Sequence, residues 1–118
     1  MTKILIIDDE IDICEMLKSF FEARGYTVIY AITGQGGIDA FEVESPQVIM
    51  LDLCLKDMWG LEVLKKVRNT DKACIVIIIT ASASESDRLK AMELGADYYI
   101  DKPFSIAKLS GLLTRLGV

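Results

Sequence analysis

Three stretches of this chain are apolar without interruption and rich in β-branched residues: Ile4-Leu5-Ile6-Ile7, Val48-Ile49-Met50-Leu51 and Ile75-Val76-Ile77-Ile78-Ile79. A strand with one wet face alternates apolar with polar side chains, so unbroken runs of this length require strands covered on both faces. Strands of that kind belong to a sheet with helices packed above and below it. Two further runs, Thr27 to Ala31 and Tyr98 to Ile100, are shorter or more mixed and suit positions nearer the edges of the sheet.

Segments with helical spacing lie between the runs. From Glu10 to Arg24 the apolar residues Ile13, Cys14, Leu17, Phe20 and Phe21 share one face, and Gly25 follows as a stop. Leu61, Leu64 and Val67 mark another helix, and Ile106, Leu109, Leu112, Leu113 and Leu116 give a regular stripe that ends before Gly117. Gly37 to Glu44 and Glu85 to Leu94 complete the set, the latter started by Ser84 and stopped by Gly95. Strand and helix thus alternate five times, which predicts a parallel sheet with helices on both faces.

The 118 residues have the size of one compact domain, spanning 1–118, and 52% hydrophobic content with only two prolines argues for a folded globule. A formal charge of −5 removes the cationic field that direct nucleic-acid binding needs. The absence of His excludes His-based metal sites and Ser-His-Asp triads within the chain. Cys14, Cys54 and Cys74 are odd in number and form no C-x-x-C pair, which argues against a disulfide framework and fits a reducing cytoplasm. No apolar run approaches the length of a membrane span.

Each long apolar run stops at an oxygen-bearing side chain: Asp8-Asp9-Glu10, Asp52 and Thr80. In a parallel sheet these ends share one edge, and open α/β sheets bind ligands just beyond it, where the strand order reverses. Asp101-Lys102-Pro103 brings a cation to the same edge. Crowded carboxylates take up protons or recruit a cation, and an oxygen-only donor set favours a hard ion such as Mg²⁺. Carboxylates, a hard cation, a hydroxyl and an ammonium together suit phosphoryl chemistry, with one Asp available as nucleophile.

Asp8-Asp9, Asp52 with Gly60 eight residues later, Thr80-Ala81, Gly95-Ala96-Asp97 and Lys102-Pro103-Phe104 together resemble the receiver domain of two-component response regulators, over essentially the whole chain. The resemblance implies a flavodoxin-like (βα)5 doubly wound sheet with strand order 2-1-3-4-5. It implies Asp52 as phosphoacceptor, Asp9 as a direct Mg²⁺ ligand, Asp8 acting mainly through metal-bound water, and the Cys54 backbone carbonyl as a further ligand. Thr80 resembles the switch hydroxyl, with Ala81 beside it. Tyr99 resembles the aromatic residue that moves with the switch, and Lys102 the phosphate-contacting cation. A cis peptide is implied at Lys102-Pro103. Lys56 stands where many members have Pro, and Trp59 where many have Asp or Asn.

The implied function is a phosphorylation-activated signalling switch rather than an enzyme. Its donor is a sensor histidine kinase, a phosphotransfer protein or a small phosphodonor. Its output goes to a downstream protein partner or to an effector domain outside this chain, with no membrane partner. The family's output face corresponds to about Glu85 to Val118, and the chain reads as a stand-alone receiver or as the receiver of a longer regulator. Two rivals have other bases. A docking module independent of phosphorylation would not need every acidic and switch position. A phosphohydrolase with an aspartate nucleophile would need a cap insertion and D-x-D spacing after the first run, both missing from the sequence. Taken singly, the acids at 8–10 could serve a helix N-terminus, Asp52 a cap, Thr80 a strand and Lys102 a solvated surface. Gly34-Gln35-Gly36-Gly37 lacks the spacing of a phosphate-binding fingerprint and reads as a flexible approach to a helix.

Overall fold

A computed structural model describes residues 1–82 and 84–118. Among them strands and helices alternate in the order β1 (Lys3–Ile7), α1 (Ile11–Glu22), β2 (Thr27–Ala31), α2 (Gly34–Glu44), β3 (Val48–Leu51), α3 (Gly60–Thr70), β4 (Ile75–Thr80), α4 (Glu85–Glu93), β5 (Tyr98–Asp101) and α5 (Ile106–Arg115). The sheet runs β2-β1-β3-β4-β5 with every neighbour parallel, which is the flavodoxin-like doubly wound order.

The apolar runs are buried on both faces because alternate side chains enter different cores. Ile4, Ile6, Val48, Met50, Ile77 and Ile79 pack with Cys14, Leu17 and Phe21 of α1 and with Leu109, Leu112 and Leu113 of α5. Leu5, Ile7, Ile49, Leu51, Val76 and Ile78 pack on the opposite face with residues of α2, α3 and α4. Cys14 and Cys74 are core residues, whereas Cys54 is exposed.

The glycine stops are where the spacing places them: Gly25, Gly95 and Gly117 all have positive φ. Helix bounds differ by one residue at the end of α4, where Leu94 is the C-cap, and more in two other places. The first helix is shorter than the expected 10–24, beginning at Ile11 and ending at Glu22, because Glu10 is its extended N-cap. The second begins at Gly34, not Gly37, so the glycine run is the first turn of α2 rather than an approach to it. Two side chains hold that turn. Thr33 accepts from the Gly36 N–H, and Asp57, far along the chain, accepts from Gly34 and Gln35. On the far side of the sheet, at the same carboxyl edge, β4 and β5 run on to Thr80 and Asp101, which pair in register.

Candidate functional site

Among the described residues, the buried polar side chains are Asp8, Asp52 and Thr80, and all three lie at the carboxyl edge of the sheet. Asp8 and Asp52 follow the last paired residues of β1 and β3, Ile7 and Leu51, which are partners in register. These two strands flank the point where the strand order turns back, so the carboxylates enter the crevice side by side.

Lys102 bridges them. It follows β5, where its N–H donates to the Thr80 carbonyl, and its ammonium lies 2.9 Å from Asp8 Oδ2 and 2.9 Å from Asp52 Oδ2. Glu10 Oε1 is 3.3 Å away on the solvent side. The Lys102–Pro103 peptide is cis. Burial opposes the charged lysine, but hydrogen bonds and charge from Asp8 and Asp52 outweigh it and hold the ammonium above its ordinary pKa. The balance tips the other way at Asp8, where burial raises the pKa despite the hydrogen bonds from Lys102 and the Glu10 N–H. A charged lysine facing several acids is therefore secure, while ionisation of Asp8 is resisted by its burial.

Asp8, Asp9, Glu10 and Asp52 each offer a carboxylate oxygen, all within 4.8 Å of one another. Four carboxylates against one ammonium leave an excess of negative charge that a divalent ion would relieve. The donor set is oxygen only, and the two nearby thiols are engaged elsewhere, Cys54 beside the Thr80 hydroxyl and Cys14 on the Asp8 backbone carbonyl, so the chemistry fits a hard cation of the Mg²⁺ class. Asp52 is held on its other side by the Cys54 N–H, 3.0 Å from Oδ1.

Thr80 is fully buried, and its hydroxyl accepts from the Ser82 N–H and sits 3.8 Å from Cys54 Sγ. It makes no hydrogen bond to Asp52 in this arrangement. Tyr99 donates its phenol to the Ser82 carbonyl at 3.1 Å, and the Ser82 hydroxyl donates to Asp87 of α4 at 2.8 Å. Ser82 therefore links the threonine, the tyrosine and α4. Burial pushes the Tyr99 phenol up in pKa, so it stays protonated as a donor. Ala81, Lys102, Pro103 and Phe104 border an open, largely apolar cleft of about 480 Å³ together with Glu10, Ile13 and Met16.

Two contacts are not visible in the sequence patterns. Glu10 belongs to the acid run that ends the first strand, but its reach to Lys102, across 92 residues, is not announced there. Asp57 lies in the loop after Asp52 and binds α2; no local pattern announces a contact of that kind.

A parallel doubly wound sheet with a carboxylate-lined, lysine-bridged crevice at its switch point defines the class: a flavodoxin-like α/β domain whose crevice offers an oxygen donor set suited to a hard cation. The family model described as the response regulator receiver domain matches residues 4–114, and the chain belongs to that family. It is 42% identical over 106 residues to the transcriptional regulatory protein KdpE of Mycobacterium tuberculosis (strain ATCC 25618 / H37Rv), an alignment covering 90% of this chain and 46% of the relative. The chain spans about half the length of the curated relatives it matches. Among solved structures, a CheY-like receiver domain from Methanospirillum hungatei JF-1 superposes with a TM-score of 0.95 at 31% identity, covering 98% of this chain and 93% of that one. The response regulator TrrA of Thermotoga maritima, solved in complex with Mg²⁺-BeF, superposes with a TM-score of 0.87 at 29% identity, covering 98% and 99%. As a receiver domain, this chain is a phosphorylation-activated signalling switch of two-component systems.

Proposed function

We propose that residues 1–118 form one receiver domain in which Asp52 accepts the phosphoryl group. The observation that carries this is the convergence of Asp8, Asp52 and Lys102 at the strand-order reversal, with contacts of 2.9 Å from the ammonium to each acid. Mg²⁺ would be held by Asp8, Asp9, Asp52 and the Cys54 backbone carbonyl, and when bound it supplies neutralisation of charge on the phosphoryl oxygens. Lys102 adds a second positive charge there, and the Cys54 N–H orients the carboxylate.

A carboxylate oxygen of Asp52 attacks phosphorus. The bond from phosphorus to the donor breaks, and its electron pair stays on the leaving atom, an imidazole nitrogen of a partner histidine kinase or phosphotransfer protein, or an oxygen of a small phosphodonor. No donor histidine is available within the chain. The apolar cleft beside Lys102 gives such a partner an open approach to the acids. New negative charge at Asp52 then competes for the Thr80 hydroxyl and the Lys102 ammonium. Because Ser82 holds Thr80, Tyr99 and Asp87, a change at Thr80 is transmitted to α4 and β5. Inverting a 1:99 population in this way takes about 5.5 kcal/mol of differential stabilisation.

The reader of the changed surface is a downstream protein or an effector domain, consistent with relatives named as transcriptional regulatory proteins and about twice as long. Among the described residues no helix is long and apolar enough to cross a membrane. A cytoplasmic signalling protein is the setting that fits these features, with no direct role for this domain in nucleic-acid binding.

Incubation with acetyl phosphate and Mg²⁺, followed by intact-mass and peptide mass spectrometry, tests the assignment. One phosphoryl group on the peptide containing Asp52 is expected, and none on Asp52→Asn. Label on that variant at the wild-type level would sink it.

A further inference from the structure

The segment from Asp52 to Gly60 is a closed loop with the phosphorylation site at its base. Cys54 and Trp59 form an antiparallel bridge, the Gly60 N–H donates 2.8 Å to the Leu53 carbonyl, and the Cys54 N–H donates to Asp52 itself. The chain's prolines are Pro46 and Pro103, so no ring stiffens this loop. Its far end is instead held from outside. Asp57 Oδ1 accepts from the Gly34 N–H at 2.8 Å and Oδ2 from the Gln35 N–H at 3.0 Å, across 23 and 22 residues of sequence.

Starting α2 does not by itself need this aspartate, because Thr33 is an N-cap in its own right, with its side chain on the Gly36 N–H. What Asp57 adds is a connection. Two of the free amides at the positive end of a helix grip both oxygens of one carboxylate, a charge-assisted and directional contact. These N–H groups hold the Asp57 carboxyl below its ordinary pKa, so the tether is ionised under ordinary conditions. The helix start and the loop are also pressed together: a Cβ on Gly34 would lie 2.4 Å from Met58 Cγ. The glycine at the start of α2 makes room for the loop.

We propose that Asp57 is a positioning residue for the phosphorylation site, holding the 52–60 loop against α2 so that the Cys54 backbone stays where the cation needs it. The inference rests on the assignment of Asp52 and Cys54 given above. It gives Asp57 no contact with the phosphoryl group or the metal; across the fold its partners are the amides of α2.

Asp57→Asn tests it, with Thr33→Ala as the companion variant. Asparagine has one acceptor oxygen for two amides and sets its NH₂ against a donor. Thr33→Ala removes a cap from the same helix without touching the loop. Mg²⁺ binding by titration calorimetry is expected to weaken roughly tenfold in Asp57→Asn, the lower end of what losing an outer contact to a metal ligand does. Thr33→Ala should lower the melting temperature but keep the wild-type Mg²⁺ affinity. Labelling of Asp52 by acetyl phosphate should slow in Asp57→Asn at limiting Mg²⁺ and recover at saturating Mg²⁺. Wild-type Mg²⁺ affinity in Asp57→Asn, or equal weakening in both variants, would overturn the proposal. A wild-type protein that binds no Mg²⁺ would overturn the underlying site assignment and the inference with it, an outcome distinct from failure of the variant alone.

Discussion

At Lys102 a single side chain settles three acids. Its ammonium is largely buried between Asp8 and Asp52, and removing it would leave two buried carboxylates facing each other without a cation. Lys102→Met is therefore expected to cost about 3 kcal/mol of stability without divalent ions, in line with breaking a buried ion pair. Millimolar Mg²⁺ should reduce that loss, because a cation among the carboxylates takes over the charge balance; denaturant melts of both proteins with and without Mg²⁺ measure it. An identical loss in both conditions would mean that no cation enters the cluster. Asp8 and Asp52 were legible in the sequence because each directly follows an apolar run, and Lys102 because it stands just past the last strand run, between Asp101 and Pro103. Glu10 was not legible as a partner of Lys102, since an acid at a helix start is what the helix dipole alone would select.

Between elements, the start of α3 sits directly against the peptide that follows β3. A Cβ on Gly60 would lie 2.4 Å from the Asp52 carbonyl oxygen and 2.6 Å from Leu53 Cα, both backbone atoms that cannot swing aside. Gly60→Ala is expected to destabilise the fold by about 3 kcal/mol, at the upper end of overpacking costs, and to slow labelling of Asp52 by shifting its backbone. Thermal denaturation together with labelling by acetyl phosphate checks both effects. The spacing from Asp52 to Gly60 is readable in the sequence, but its cause is not: only the packed structure shows that the glycine seats a helix on the peptide of Asp52 itself. The start of α2 shows the same limit. Glycines read as flexible when taken alone, and Gly34 to Gly37 are ordered into a helical turn by Thr33, by Asp57 and by the Ile7 side chain, which leaves no room for a Cβ at Gly37.

Across the whole molecule, the two ends of the sheet have different tasks. The carboxyl edge gathers the acids. At the opposite edge Arg68 of α3 donates to the carbonyls of Asp71, Cys74 and Gly95 and pairs with Asp97, tying α3 to the start of β4 and the turn before β5. Asp97 also accepts from the Val76 N–H. Arg68→Met would strip donors from several partly buried carbonyls, with an expected cost of about 3 kcal/mol. That corresponds to roughly 10 °C in melting temperature. Labelling of Asp52 well below the transition should be unchanged, since the length of β4 separates the two edges; a matching loss of labelling would show that the ends are coupled.

The sequence by itself determined the alternation of strand and helix, the two-faced burial of the sheet and the chemical type of the crevice. Each of these depends on residues that are neighbours along the chain: an apolar run, the acid that ends it, a glycine that stops a helix. Only the tertiary structure decided that Lys102 bridges Asp8 and Asp52, 94 and 50 residues away, that Asp57 holds the start of α2, and that Arg68 closes the far edge. Those contacts join side chains whose local surroundings carry no trace of one another. They exist because packing helices on both faces of one sheet brings distant loops within a hydrogen bond's reach.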